Sequence, residues 1–156
     1  MKGDKKVIET LNSLLARELT VVSQYMVHAE MCDNWGYGKL HDMIQNRAKV
    51  EMKHAEKLIG RIIFLEGFPV VSELQKMHIG KDIPQMFTND HEAEIDASNQ
   101  YNAGILVCGN AKDFATREIL EFILNEEDGH IDSIEAIQSQ IDQMGIQQFL
   151  SIQTST

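Results

Sequence analysis

Apolar side chains recur every three to four positions along four stretches of this chain, which is the period of an amphipathic α-helix. Leu11, Leu14, Leu15, Val21, Val22 and Tyr25 mark the first stretch, a helix predicted over residues 5–34. Met43, Ile44, Ala48, Leu58, Ile62 and Leu65 mark the second, predicted over 40–65. It follows the glycine-bearing segment Trp35 to Leu40 and is stopped by Glu66-Gly67-Phe68-Pro69. Residues 67–82 keep no sustained period and read as a long link. A third helix is predicted over 83–109, a tight connection around Asn110, and a fourth helix over 113–144 with Gly145 as its C-terminal stop. Residues 146–152 read as a short fifth helix, and Thr154-Ser155-Thr156 as a frayed tail. The two prolines, Pro69 and Pro84, both fall at predicted helix boundaries.

Two short connections and one long one imply two helical hairpins joined by a crossover. The fold class expected is therefore all-α, a four-helix bundle running up-down-down-up with a short C-terminal helix, the connectivity of ferritin-like bundles. A length of 156 residues is enough for one domain with a substantial core, so residues 1–156 are read as one unit.

An acid interrupts each apolar stripe: Glu18 in the first helix, Glu51 in the second, Glu94 in the third and Glu127 in the fourth. An ionised carboxylate withdrawn from water costs several kcal/mol unless it is paired or bound to metal. Two histidines accompany these acids. Glu51 with His54, and Glu127 with His130, form Glu-x-x-His steps. Three residues turn a helix by about 300°, so the two side chains share one face, one turn apart in height. One such step is weak evidence, but here the pattern repeats. Glu18 and Glu51 lie 33 positions apart, as do Glu94 and Glu127, and the set Glu18, Glu51, His54 returns as Glu94, Glu127, His130 after a shift of 76. Matched hairpins place both sets at one height, related by a pseudo-two-fold axis. The six residues match the ligand pattern of di-metal carboxylate bundles.

Four carboxylates and two imidazoles without a thiolate suit iron or manganese, and zinc also fits. Two facing sets give each ion a terminal Glu and His, with Glu51 and Glu127 bridging. The reaction expected is oxidation of two Fe²⁺ by O₂ or H₂O₂. Tyr25 shares a stripe with Glu18 and is a candidate hydrogen-bond donor to a ligand carboxylate.

Charge narrows the function further. With 14 basic and 24 acidic residues the formal net charge is −10, which opposes nucleic-acid binding and suits attraction of cations. No apolar run approaches the roughly 20 residues needed to cross a bilayer. The start MKGDKKVIETLN lacks the apolar core of a signal peptide. Cys32 and Cys108 form neither a disulfide framework nor a Cys-x-x-Cys pair, so a reducing cytoplasm is expected.

The segments MKGDKKVI, WGYGKL, EMKHAEKLIGRIIFLEG, HIG, EEDGHID and MGIQQFL make the chain resemble the bacterioferritins over nearly its whole length. That resemblance implies ferroxidase ligands at Glu18, Glu51, His54, Glu94, Glu127 and His130, holding two iron ions per subunit. It also implies a hollow 24-subunit shell built from dimers and storing a ferric mineral. Haem b is implied at the subunit two-fold, held by one methionine from each partner. The matching residue is Met52, about 100° round the helix from Glu51 and so directed away from the acids. A redox partner such as a ferredoxin, and shells that mix two subunit types, are further implications. The resemblance is incomplete. The family often carries His and Asp at positions 46 and 50, where an inner-surface iron binds, and this chain has Asn46 and Val50. Ser23, Met26 and Gln45 also alter the expected haem surroundings. His28, His41, His78 and His91 lack matching partners and are read as surface or structural residues.

Other readings make different demands. A non-storing di-iron peroxidase or oxygenase shares the bundle, but a rubredoxin-type module needs four paired cysteines. A DNA-protecting mini-ferritin places its iron between subunits, whereas here one chain carries a full set. A haem-binding or purely structural bundle needs cations opposite the acids, and few Arg or Lys residues stand there.

Overall fold

In the computed structural model, which describes residues 1–154, five helices follow one another: α1 Lys5–Asn34, α2 Gly38–Phe64, α3 Ile83–Asn110, α4 Phe114–Met144 and α5 Ile146–Ser151. The four long helices form a ferritin-like bundle, with α5 packed against the end of α4. Among the described residues no helix is long and apolar enough to cross a membrane. The tail expected to fray lies, at Ser155 and Thr156, outside the described residues.

Local chemistry sets the helix ends. Asp4 accepts from the backbone N–H groups of Lys6 and Val7, Asp82 from that of Gln85, and Asp113 from that of Thr116, so three of the four long helices start on an Asp cap. Helices α1, α2 and α3 end alike, each on a residue of positive φ followed by a six-to-one hydrogen bond. These residues are Gly36 (φ 84°), Glu66 (φ 60°) and Lys112 (φ 58°), and the bonds are Tyr37 to Cys32, Gly67 to Ile62 and Asp113 to Cys108. The tight turn at Gly36 lets α2 begin two residues before the expected Leu40. Glu66, rather than Gly67, takes the left-handed position that ends it.

Helix directions follow from the cross-contacts. Glu18 pairs with Tyr101 and Tyr25 with Glu94, so α1 and α3 are antiparallel. Arg61 meets Thr116 while Glu51 meets His130, so α2 and α4 are antiparallel too. With antiparallel hairpins this gives the expected up-down-down-up order.

The crossover is tied along α1 by polar side chains. Asn12 bonds the backbone of Phe68 and Val70, the Thr20 hydroxyl accepts from Gln75 N–H, the Gln24 side-chain oxygen from His78 N–H, and His28 Nε2 from Gly80 N–H. His28, read from sequence only as a surface or structural residue, is fully buried, and its Nδ1 lies 2.9 Å from Asp90 Oδ1. Because Nε2 accepts, Nδ1 carries the hydrogen and donates it to Asp90. His41 Nδ1 bonds the carbonyl of Ala29, and His91 pairs with Glu135 across α3 and α4.

Two apolar clusters fill the bundle. One gathers Val21, Ile44, Phe87, Ile134 and Phe149, and the other Leu11, Leu15, Leu58, Leu120 and Ile123. Burying each such side chain is worth about 1.5–3 kcal/mol. The interrupting acids fall between the clusters, at mid-height.

Candidate metal centre

The six residues singled out by the repeat converge there. Glu18, Glu51, His54 and Glu127 form one group of atoms lying within 4.8 Å of one another, and Glu51, Glu94, Glu127 and His130 form a second. The four acids are essentially inaccessible to solvent, as is His54, while His130 keeps 16% exposure.

The shared acids divide their oxygens between the halves. Glu51 Oε2 lies 3.0 Å from His54 Nδ1 and Glu51 Oε1 lies 2.7 Å from His130 Nδ1. Glu127 Oε1 stands 2.9 Å from His54 Nδ1 and Glu127 Oε2 stands 3.6 Å from His130 Nδ1. Glu18 approaches only His54, at 3.7 Å, and Glu94 only His130, at 3.4 Å. Several of these atoms are close without hydrogen-bond alignment. Glu51 Oε1, Glu94 Oε2, both oxygens of Glu127 and His130 Nδ1 are buried and lack a hydrogen-bond partner. Donor atoms crowded together yet aimed past one another fit two cations, one per group.

Electrostatics keep the metal-free cluster near neutrality. Burial, then the charges of Glu18 and Glu94, raise the Glu51 carboxyl well above its ordinary range. Burial and the adjacent Glu127 carboxylate push Glu94 up to about 8. Burial opposes the charged forms of both imidazoles. The carboxyls of Glu127, Glu18 and Glu51 close around Nδ1 overcome it at His54 and raise that group far above the usual histidine range. The nearby carboxyls of Glu127 and Glu94 carry His130 to about 9. Glu127 moves the other way. Burial resists its ionisation, but the close approach of Glu94, His130, His54 and Glu51 outweighs that and holds its carboxyl far below the usual range. It is the anion at the hub.

Two tyrosines close the centre. Tyr25 on α1 donates to Glu94 Oε1, and Tyr101 on α3 donates to Glu18 Oε1. Both are fully buried. Sequence reasoning reached Tyr25 but missed Tyr101, although the repeat contained it, because Tyr101 follows Tyr25 by the same 76 positions. Arg47, also missed, sits with its guanidinium carbon 5.7 Å from the centre of the Tyr25 ring and donates to Ser133. Met52 lies outside the cluster and is 48% exposed, as its place on α2 predicts.

This bundle and its acidic centre have the form of the ferritin-like class, and the family profile for the ferritin-like domain matches residues 8–144. The chain is 38% identical to the bacterioferritin of Brucella melitensis biotype 1 over 86% of this chain and 84% of that protein. It is also 38% identical to the bacterioferritin of Rhodobacter capsulatus, over 96% of this chain and 92% of the other. Its identity to the bacterioferritin of Streptomyces coelicolor is 36%, over 97% and 90%. The chain belongs to the bacterioferritin family.

Proposed function

We propose that the protein is a ferroxidase and an iron-storage subunit, built as one domain over residues 1–156. Its substrate is ferrous iron, two ions per chain. Glu18 and His54 are the terminal ligands of one, Glu94 and His130 those of the other, and Glu51 and Glu127 bridge the pair. The division of the Glu51 and Glu127 oxygens between the two imidazoles carries this reading. A bound pair of ferrous ions supplies two electrons to O₂ or H₂O₂. The protein holds the ions together among side chains that, His130 apart, are buried, and its carboxylates balance the charge that grows as the metals are oxidised. Loading displaces the protons that His54, His130, Glu51 and Glu94 hold in the metal-free centre.

Family membership supports the larger assembly, a 24-subunit shell built from dimers that stores the oxidised iron as mineral. It also supports haem b at the two-fold between subunits. Met52 is exposed on α2, opposite the acidic face, and has a thioether free to serve as axial ligand. A ferredoxin-type partner then feeds electrons for iron release, and a second subunit type can share the shell. Two buried, unpaired cysteines support a reducing, cytoplasmic setting.

The test is anaerobic addition of Fe²⁺ followed by air. Fast oxidation should saturate at about two irons per chain, one for each ligand group. Slow oxidation with no saturation point defeats the reading, and a native mass of a dimer defeats the shell.

A further inference from the structure

The ligand atoms obey the pseudo-two-fold axis, but the groups that support them do not. His54 turns Nδ1 towards Glu51 and Glu127, and its other ring nitrogen, Nε2, lies 2.5 Å from Glu126 Oε2. Glu126 immediately precedes Glu127 on α4, about 100° round the helix, so it reaches the imidazole from the side away from the cluster. Glu126 is 40% exposed at its side chain, whereas His54 is fully buried. The shift of 76 that relates Glu127 to Glu51 relates Glu126 to Val50, which has no polar atom in its side chain. Among the described residues, Nε2 of His130 has no hydrogen-bond partner, and His130 is the one ligand of the six open to solvent.

We propose that Glu126 is a positioning residue for His54, and that this one-sided brace makes the two metal positions unequal. This rests on the reading of the centre given above. An Nε2–H donated to Glu126 fixes the tautomer, leaves the Nδ1 lone pair for metal, stops rotation of the ring, and raises the basicity of the ligand nitrogen. His130 gains none of these from the chain. The position formed by Glu18, Glu51, His54 and Glu127 is therefore the tighter and fills first. The position completed by Glu94 and His130 is the weaker and exchanges with solvent.

The test uses Co²⁺ as probe on the metal-free assembled protein, following uptake by calorimetry and by visible d–d absorption. Wild type should bind in two unequal steps. Removing such a support costs on the order of 10- to 100-fold in metal affinity. Glu126→Ala should weaken the tighter step by that factor, leave the weaker step in place, and draw the two together. Alanine favours helix, so α4 should persist. Glu126→Met, of similar length but without an acceptor oxygen, carries the same expectation should alanine disturb the fold. Glu126→Gln keeps an oxygen that accepts from Nε2–H and should restore most of the lost affinity, which loss of packing alone does not explain. Superimposable isotherms for wild type, Glu126→Ala and Glu126→Met overturn the proposal, as do two equal steps in wild type. Glu18→Ala separates the levels of failure. If it lowers Co²⁺ uptake while the Glu126 variants change nothing, only the brace is wrong. If wild type takes up no Co²⁺, the metal centre and the brace fall together.

Discussion

Tyr101 on α3 donates its phenolic proton to Glu18 on α1, and the same bond recurs in mirror image between Tyr25 on α1 and Glu94 on α3. Each hydroxyl secures the one carboxylate that its half does not share with the other. Tyr25→Phe and Tyr101→Phe should therefore have matching effects, each lowering metal affinity by on the order of 10-fold while the helical signal is kept. Titration with Co²⁺ reads this, and two variants that bind like wild type would show the bonds to be packing alone.

The two shared acids carry opposite burdens in the metal-free centre. Glu51 is disfavoured as an anion by burial and by Glu18 and Glu94, whereas Glu127 is the anion that both imidazoles need. Glu51→Gln should leave the metal-free protein as stable as wild type or more so. Glu127→Gln should cost about 3–5 kcal/mol, the penalty for breaking a buried charge pair from one side. Both should abolish fast iron oxidation. Chemical denaturation of the metal-free variants gives the sign, and equal shifts for the two would contradict this charge assignment.

The raised groups set a pH dependence. The native state holds a proton on Glu94 up to about 8, against an ordinary 4.5, and one on His130 up to about 9, against 6.5. In both cases the folded chain binds more protons than the unfolded chain between the two values, so stability falls as pH rises. The contribution of His130 is full below pH 6.5 and gone above about 9, and that of Glu94 fades from 4.5 to about 8. The Tm of metal-free protein should fall steadily from pH 6.5 to 9. Metal favours the deprotonated ligands, so saturated protein should show a flat or rising Tm over that window. A metal-free Tm that rises with pH would refute the assigned protonation.

Met52 is half exposed and lies away from the bundle core. Met52→Leu should change the stability of the isolated fold by no more than about 0.5 kcal/mol, as surface substitutions do. It should also remove the Soret band of haem-reconstituted protein. A Soret band that survives assigns the haem ligand elsewhere.

His28 links α1, Asp90 of α3 and the crossover at Gly80, with no solvent at any of its atoms. His28→Leu leaves the Asp90 carboxylate and the Gly80 N–H short of a partner, at about 1–3 kcal/mol for each group. The loss should appear as a lower denaturation midpoint and faster amide exchange across 75–82, with iron oxidation kept. Unchanged exchange there would mean that Asn12, Thr20 and Gln24 hold the crossover without it.

The sequence by itself determined the helices and the six residues that converge at mid-height. Apolar spacing is a local property of an α-helix, so α1 could be read to its observed ends, and the other long helices to within two residues. The 76-residue repeat exposed six polar residues on apolar stripes because a buried carboxylate is too costly to be there by accident. The tertiary structure decided which residues surround them. Tyr101, Arg47, Glu126 and Asp90 look ordinary in the chain, and their roles arise from atoms between 62 and 86 positions away brought within bonding distance. Hydrogen-bond pairing of that kind depends on the angle and register at which helices pack, and periodicity does not encode it. The same holds for the broken symmetry at His54 and His130: the candidate ligands repeat in the sequence, but only packing shows that one imidazole is bonded to Glu126 and the other open.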